Sequence, residues 1–242
     1  MIRILSPLAA PVCDTAVLSS QAQDLVAPQQ SPAEYVSALE KNSLQGDACK
    51  FMVYGMSERD AVCYATKSAQ KVADPSNLVD QKAIQAAEAW MKVPGEASQK
   101  AATAAATAAG HASPGAWAAQ AAAFAQVPPA GAAVPGAPNL TSHAAWGAIQ
   151  LAATSPSARA DALTQMAQAR AEAEAKNLAA GAKVPEVPKV PTLPQVQAPA
   201  VEVPAVPGTG EVAAAVAKVQ AARAYQPFSD IGKGIANGTC TC

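Results

Sequence analysis

Alanine dominates long stretches between Ser57 and Ala180, and only 4% of the residues are aromatic although 50% count as hydrophobic. Such a chain cannot fill a deep core with large side chains. It has to bury surface by bringing helix backbones close together, because alanine is the strongest helix former and carries the smallest apolar side chain. No stretch alternates apolar and polar residues at the period of two that a half-buried strand needs. The fold class that follows is all-α: a multi-helix hairpin array or bundle with a C-terminal proline-rich extended tether and a short terminal helix.

The helix starts are legible. Ser31-Pro32-Ala33-Glu34 sets a capping serine, a first-turn proline and a glutamate at the third helical position, the pattern of a capping box. Ser57-Glu58-Arg59-Asp60, Asp74-Pro75, Ser113-Pro114 and Ser155-Pro156 follow the same logic, since each side-chain oxygen can accept from free first-turn amides. Ala61, Ala65, Ala69 and Val72 then share one helix face, as do Val79, Ala83, Ala86, Trp90 and Val93 on the next. These signals predict helices near 18–27, 32–43, 46–55, 58–72, 75–92, 96–109, 114–125, 140–153, 156–180 and 211–224. Trp90, Trp117 and Trp146 lie 27 and 29 residues apart. That interval suits a short array of helical hairpins, and it suits equally a plain bundle anchored by a few large side chains.

Composition shifts divide the chain into an N-terminal arm (1–17), an alanine-rich helical domain (18–182), a proline-rich linker (183–210) and a tail of short helix and Gly/Cys residues (211–242). In the linker the pattern Val-Pro-Glu-Val-Pro-Lys-Val-Pro from Val184 denies the backbone both donors and helical angles. Residues 184–207 are expected to form a polyproline II spacer reaching roughly 70 Å at about 3.1 Å per residue. Val212, Val216 and Val219 follow near-helical spacing after the Gly208-Thr209-Gly210 break. An isolated helix of about 14 residues is marginal in water. Val212, Val216, Val219, Tyr225 and Phe228 are therefore candidate partner-binding residues, with docking on a partner favoured over folding back.

The sequence argues against most chemistry. Seventeen basic against 18 acidic residues, with no block of like charge, leave none of the basic face that nucleic acid requires. Neither the Gly-x-Ser-x-Gly elbow nor His-Glu-x-x-His occurs. His111 and His143 each fall near a helix boundary, where a solvated or capping role is expected. Gly208-Thr209-Gly210-Glu211-Val212-Ala213 matches a dinucleotide fingerprint in letters only, since a proline-rich tether stands where a strand is needed. No cofactor and no metal site is expected.

Five cysteines (Cys13, Cys49, Cys63, Cys240 and Cys242) are an odd set and no disulfide framework. Cys49 and Cys63 occupy small apolar positions and read as buried free thiols. Cys240 and Cys242 read either as a reactive thiol pair or as a plain tail. Met1-Ile2-Arg3 and the apolar run to Val12 have some of the character of an export signal, but Pro7 and Pro11 interrupt the run and Ala10-Pro11-Val12 makes a poor lipobox before Cys13. The expected location is the cytoplasm, with export through residues 1–23 as the alternative, and no window is apolar enough for a membrane span.

Pro32-Ala33-Glu34-Tyr35 with Leu39, Asp47-Ala48 with Phe51, Arg59 to Ala65, Ala89-Trp90 with Pro94, and Pro114 to Ala119 with Phe124 together resemble an uncharacterised family of alanine-rich, all-helical bacterial proteins. The resemblance covers about residues 31–153. It departs at Cys63-Tyr64, where that family tends to carry tryptophans. It implies an all-α bacterial domain with no activity to transfer, and association with type VI secretion or contractile injection genes. The closing Asn237-Gly238-Thr239-Cys240-Thr241-Cys242 resembles the opening of PAAR-like spike domains, which bears only on the choice of partner.

The leading expectation is a non-enzymatic adaptor or scaffold that binds a protein partner. Two alternatives stand beside it. One is an enzyme whose site is assembled from scattered carboxylates such as Glu34, Asp60 and Glu88. The other is an exported structural protein with a proline-rich spacer.

Overall fold

The structure, a computed structural model, describes residues 4–126, 140–156 and 209–239, with the side chains of 209–218 and 220 left out. Ten helices are described: α1 (Ala10–Ala16), α2 (Ser20–Gln23), α3 (Pro32–Lys41), α4 (Gln45–Gly55), α5 (Glu58–Val72), α6 (Leu78–Lys92), α7 (Glu96–Ala108), α8 (Pro114–Phe124), α9 (Leu140–Thr154) and α10 (Thr209–Ala236). No strand occurs among the described residues, and the fold is all-α. The expected spacer over 184–207 and most of the helix expected over 156–180 lie outside the described residues.

The caps form where the side chains demand them. Ser31 accepts from the Glu34 amide and Glu34 reaches back to the Ser31 amide at 2.9 Å, which closes the capping box. The Ser31 hydroxyl, at 2.7 Å, and the Ser31 amide both donate to the exposed Glu34 carboxylate and hold it below its ordinary range. Ser57 and Ser113 cap α5 and α8 through the amides of Asp60 and Ala116. One start shifts. Asp74-Pro75 does not open α6: the Asp74 carboxylate turns onto the Ser76 amide at 2.8 Å, and Asn77 caps the helix through the Asp80 amide. The buried stripe of α6 is Asp80, Ala83, Ile84, Ala87, Trp90 and Met91, and Val79 is 47% exposed.

The bundle turns on α8. Its sequence Pro-Gly-Ala-Trp-Ala-Ala-Gln-Ala-Ala-Ala-Phe is apolar on nearly every side, so it has no solvent face to keep. It packs against α5, α6, α7 and α9 together. A hairpin array would restrict each helix to its neighbours in sequence. Contacts of α8 with α5 and α6, and of α9 with α4 and α5, make this a bundle. Small side chains set the spacing: Ala83, Ala106 and Ala119 meet where α6, α7 and α8 converge. At Gly115 even a methyl group would collide with Ile84 at 2.8 Å and with the Asp80 carboxylate.

Larger residues gather at the other side, where α1, α3, α4, α5 and α10 meet. Tyr35, Phe51, Met52, Tyr64 and Phe228 are fully buried there. The Tyr35 and Phe51 rings pack edge to face at 4.9 Å. The Tyr35 hydroxyl, buried away from water, donates to the Ala22 carbonyl at 2.7 Å and so ties α3 to α2. The N-terminal arm joins this core through Ala9, Val12, Cys13 and Ala16.

The terminal helix is longer than expected and differently used. It runs on past Ala224 and through Pro227 to Ala236. From Ala222 onward its inner face lies on the chain's own core, against α4, α5 and α9. The Tyr64 hydroxyl donates to the Phe228 carbonyl at 2.7 Å. Glu40 accepts from the Ser229 hydroxyl at 2.6 Å and pairs with Lys233 at 2.9 Å. Ala222, Tyr225, Phe228, Gly232 and Ile235 keep the three-to-four spacing, so the inner face extends beyond the proline that reads as a breaker.

Candidate functional site

A groove of about 580 Å³ opens beside α4, α8 and α9, lined mainly by Tyr54, His111, Trp117, His143, Trp146 and Gln150. It brings together the chain's only two histidines and two of its three tryptophans.

Each side chain has a local cause. The buried Ser142 hydroxyl donates to the Val53 carbonyl at 3.1 Å, which locks the start of α9 to the end of α4. The next residue on each helix is thereby set opposite the other, and the Tyr54 hydroxyl lies 3.3 Å from His143 Nδ1. Burial raises the Tyr54 phenol above its ordinary pKa, so it stands in the groove as a neutral hydroxyl. Between α7 and α8 the chain passes through two left-handed residues, Gly110 (φ 64°) and His111 (φ 54°). For histidine this conformation is uncommon and mildly strained. It is held by the His111 ring pairing with Gln120 at 2.8 Å and by the Trp117 indole N–H donating to the His111 carbonyl at 2.8 Å. Non-glycine left-handed residues that a fold over-determines in this way concentrate at functional sites.

The indole walls are set by neighbours. Trp117 lies flat against Gly147, where an added methyl group would stand 3.1 Å from the ring. Trp146 stacks on Tyr225 of α10, with centroids 6.0 Å apart and planes 15° from parallel. Lys50, at the rim, donates to the Val17 carbonyl at 2.7 Å. Among the described residues the lining holds no carboxylate, serine or cysteine, and the Thr154 hydroxyl is engaged with the Gln150 and Leu151 carbonyls.

Sequence reasoning places the histidines at helix boundaries, and that is where they are. It missed that the two boundaries face one groove. The three tryptophans also separate: Trp90 is a core anchor, whereas Trp117 and Trp146 are half-buried groove walls. The carboxylates Glu34, Asp60 and Glu88 are not brought together. Glu34 and Asp60 serve caps, and Glu88 pairs with Gln70, ten residues along α5 from Asp60, which is roughly 15 Å of helix rise.

The candidate partner-binding residues also part company. Phe228 is fully buried within the chain and Tyr225 is stacked on Trp146, so neither is free for a partner in this arrangement. Val219 is 43% exposed, and the side chains of Val212 and Val216 lie outside the described residues. Cys240 and Cys242 lie outside them as well. Cys49 is the buried free thiol expected of it, and burial pushes its pKa up to about 12. Cys63 is not free: it is disulfide-bonded, which corrects the reading of a small apolar thiol. No cluster of three or more metal-ligating side chains occurs among the described residues. No described helix is long and apolar enough to cross a membrane.

Fold and groove together describe an all-α bundle with an open, aromatic-walled cleft. A model of a family of unknown function, DUF6931, matches residues 35–175, and the chain belongs to that family. No curated protein and no solved structure matches it.

Proposed function

We propose that this chain is a non-enzymatic adaptor that holds an extended or helical segment of a protein partner in the groove walled by Trp117 and Trp146. The observation that carries the reading is the composition of the lining. Indole, phenol and imidazole faces dominate it, and among the described residues it holds no carboxylate, serine or cysteine. Tryptophan and tyrosine supply rigid, amphipathic contact area, which is why they anchor protein interfaces. His143, Gln150 and Lys50 provide polar groups at the edge that can orient a bound backbone. The resemblance to proteins that accompany type VI secretion and contractile injection genes makes a component of such machinery the partner to seek.

The test is photo-crosslinking in the native host from a photo-reactive residue at position 150, comparing the otherwise unchanged chain with the variant His143→Ala carrying the same residue at 150. His143 is exposed, so the variant keeps the fold. A specific protein crosslinked by the first and lost with the second is the expected result. Identical crosslinked proteins from both, or none, would remove the groove from the account.

A further inference from the structure

The groove follows α9, whose lining residues His143, Trp146, Gln150 and Thr154 stand about one to a turn along one face. From residue 143 to residue 154 the helix rises about 16 Å. A volume of about 580 Å³ spread over that length leaves a channel of roughly 36 Å² in section, or about 7 Å across. We infer that the partner segment seated there is proline-rich and lies in the channel as a polyproline II helix of about five residues. The inference rests on the reading of the groove as a partner-binding site and names the chemistry of what that site takes.

Size separates the two forms a peptide can take. An α-helix with its side chains is about 10–12 Å wide and can lay no more than one ridge into such a channel. An extended polyproline II chain enters it, and at about 3.1 Å per residue five residues fill its length. The walls suit that occupant. Trp117 lies flat against Gly147 and Trp146 is backed by Tyr225, so both indole faces are set before anything binds. Pyrrolidine rings are compact, apolar and already fixed in φ, so neither side loses much freedom when ring meets indole.

The polar groups decide the composition of the segment. Most of those in the lining are spent within the chain: Tyr54 and His143 on each other, the His111 ring on Gln120, the Trp117 indole N–H on the His111 carbonyl, and the Thr154 hydroxyl on its own helix. Among the described residues three side chains keep polar capacity. The Lys50 ammonium gives Val17 one of its three hydrogens. The Gln150 amide is exposed, and no described group accepts from the Trp146 indole N–H. All three donate, only Gln150 also accepts, and no carboxylate stands among the described lining residues. An ordinary extended segment brings one amide N–H for every carbonyl and would find almost nothing here to receive them. Proline brings a carbonyl and no N–H, so a proline-rich segment offers the acceptors that this lining lacks.

The test selects a random dodecapeptide library displayed on phage against the full chain, then measures the enriched peptides, synthesised with a fluorescent label, by anisotropy. Enriched peptides should carry prolines two or three residues apart, and replacing one of those prolines by alanine should weaken binding at least about fivefold. Gln150→Glu, which turns an exposed donor into an acceptor, should weaken it about fivefold or more, whereas Gln150→Lys, which keeps a donor, should retain it. Peptides that lack proline, or whose prolines tolerate alanine, but that are weakened by Gln150→Glu overturn the proline-rich class and leave the groove as a partner site. Equal weakening by Gln150→Glu and Gln150→Lys overturns the match of donors to carbonyls. No enriched peptide, or peptides indifferent to Gln150→Glu and to His143→Ala alike, overturns the groove reading and this inference together.

Discussion

Two glycines on the contact between α4 and α10 should respond oppositely to the same chemical change. A methyl group built on Gly232 would stand 2.7 Å from Tyr64 Cζ and 2.8 Å from Met52 Cε. The methionine end can swing away. The tyrosine cannot, because its ring is fully buried and its hydroxyl is fixed on the Phe228 carbonyl. Gly232→Ala therefore forces α10 outward, an overpacking cost of about 2–3 kcal/mol, against which replacing glycine in a helix returns about 1 kcal/mol. The net expectation is a loss of about 1–2 kcal/mol. A methyl group on Gly46 would instead meet the Tyr225 ring at 3.5–3.7 Å, ordinary van der Waals contact. Gly46→Ala keeps the propensity gain without the clash and should stabilise by about 0.5 kcal/mol. Urea unfolding of the oxidised protein, followed by helical circular dichroism, reads both. With a slope of about 2 kcal/mol per molar, the two midpoints should differ by about 1 M. A Gly232→Ala midpoint at or above the wild-type value would refute the close packing of α10 on Tyr64.

Other expectations follow from single contacts. Gly147→Ala should push the Trp117 ring from its 3.1 Å approach, shift tryptophan emission and weaken partner binding while changing stability by less than about 1 kcal/mol; unchanged emission and binding would mean that Trp117 does not wall the groove. Glu40→Gln removes the charged acceptor of Lys233 and Ser229, at 22% exposure of its side chain, and should cost about 1 kcal/mol at low salt and less in 1 M salt, as measured by the urea midpoint. Burial raises Cys49 from 9.0 and Tyr225 from 10.0, each to about 12 in the folded chain. Folding thus favours their protonated forms: the stability they give is complete below about pH 9 and is lost as pH rises towards 12, so the urea midpoint should hold from pH 7 to 9 and fall above it, and a midpoint that rose would contradict this sign.

The architecture was legible because its signals are local. Each serine or asparagine cap satisfies amides within three residues, and alanine-rich helices reveal their buried stripes by spacing alone. Even the one misplaced start is local in origin. The Asp74 carboxylate accepts from both the amide and the hydroxyl of Ser76, closing a turn there and leaving the capping role to Asn77 three residues later. Val79 faces outward because the buried stripe is centred on Ala83, Ala87 and Trp90 with Asp80, Ile84 and Met91, rather than on the neighbouring stripe through Val79, Ala86 and Val93. The groove is a different kind of object. His111 and His143 are 32 residues apart, and nothing in either neighbourhood states that Ser142 will bind the Val53 carbonyl and set His143 beside Tyr54.

The terminal helix shows where such reasoning stops being sufficient. Its sequence marginality is real, because a short helix alone in water does not hold, and something must cover its apolar face. What the sequence does not state is which surface that is. A long connection between 157 and 208 is compatible with return to the bundle, because the entropy of closing a loop grows only slowly with its length. The decisive features are on the receiving side: Tyr64 offers a buried hydroxyl with no acceptor nearby in sequence, and Glu40 offers a carboxylate that Ser229 and Lys233 satisfy together. A helix that covered these groups without offering such partners would leave each buried and unmet, at about 1–3 kcal/mol, so they select which segment can dock there. The Phe228 ring it buries drives the docking of α10, and the polar groups it satisfies fix where it docks.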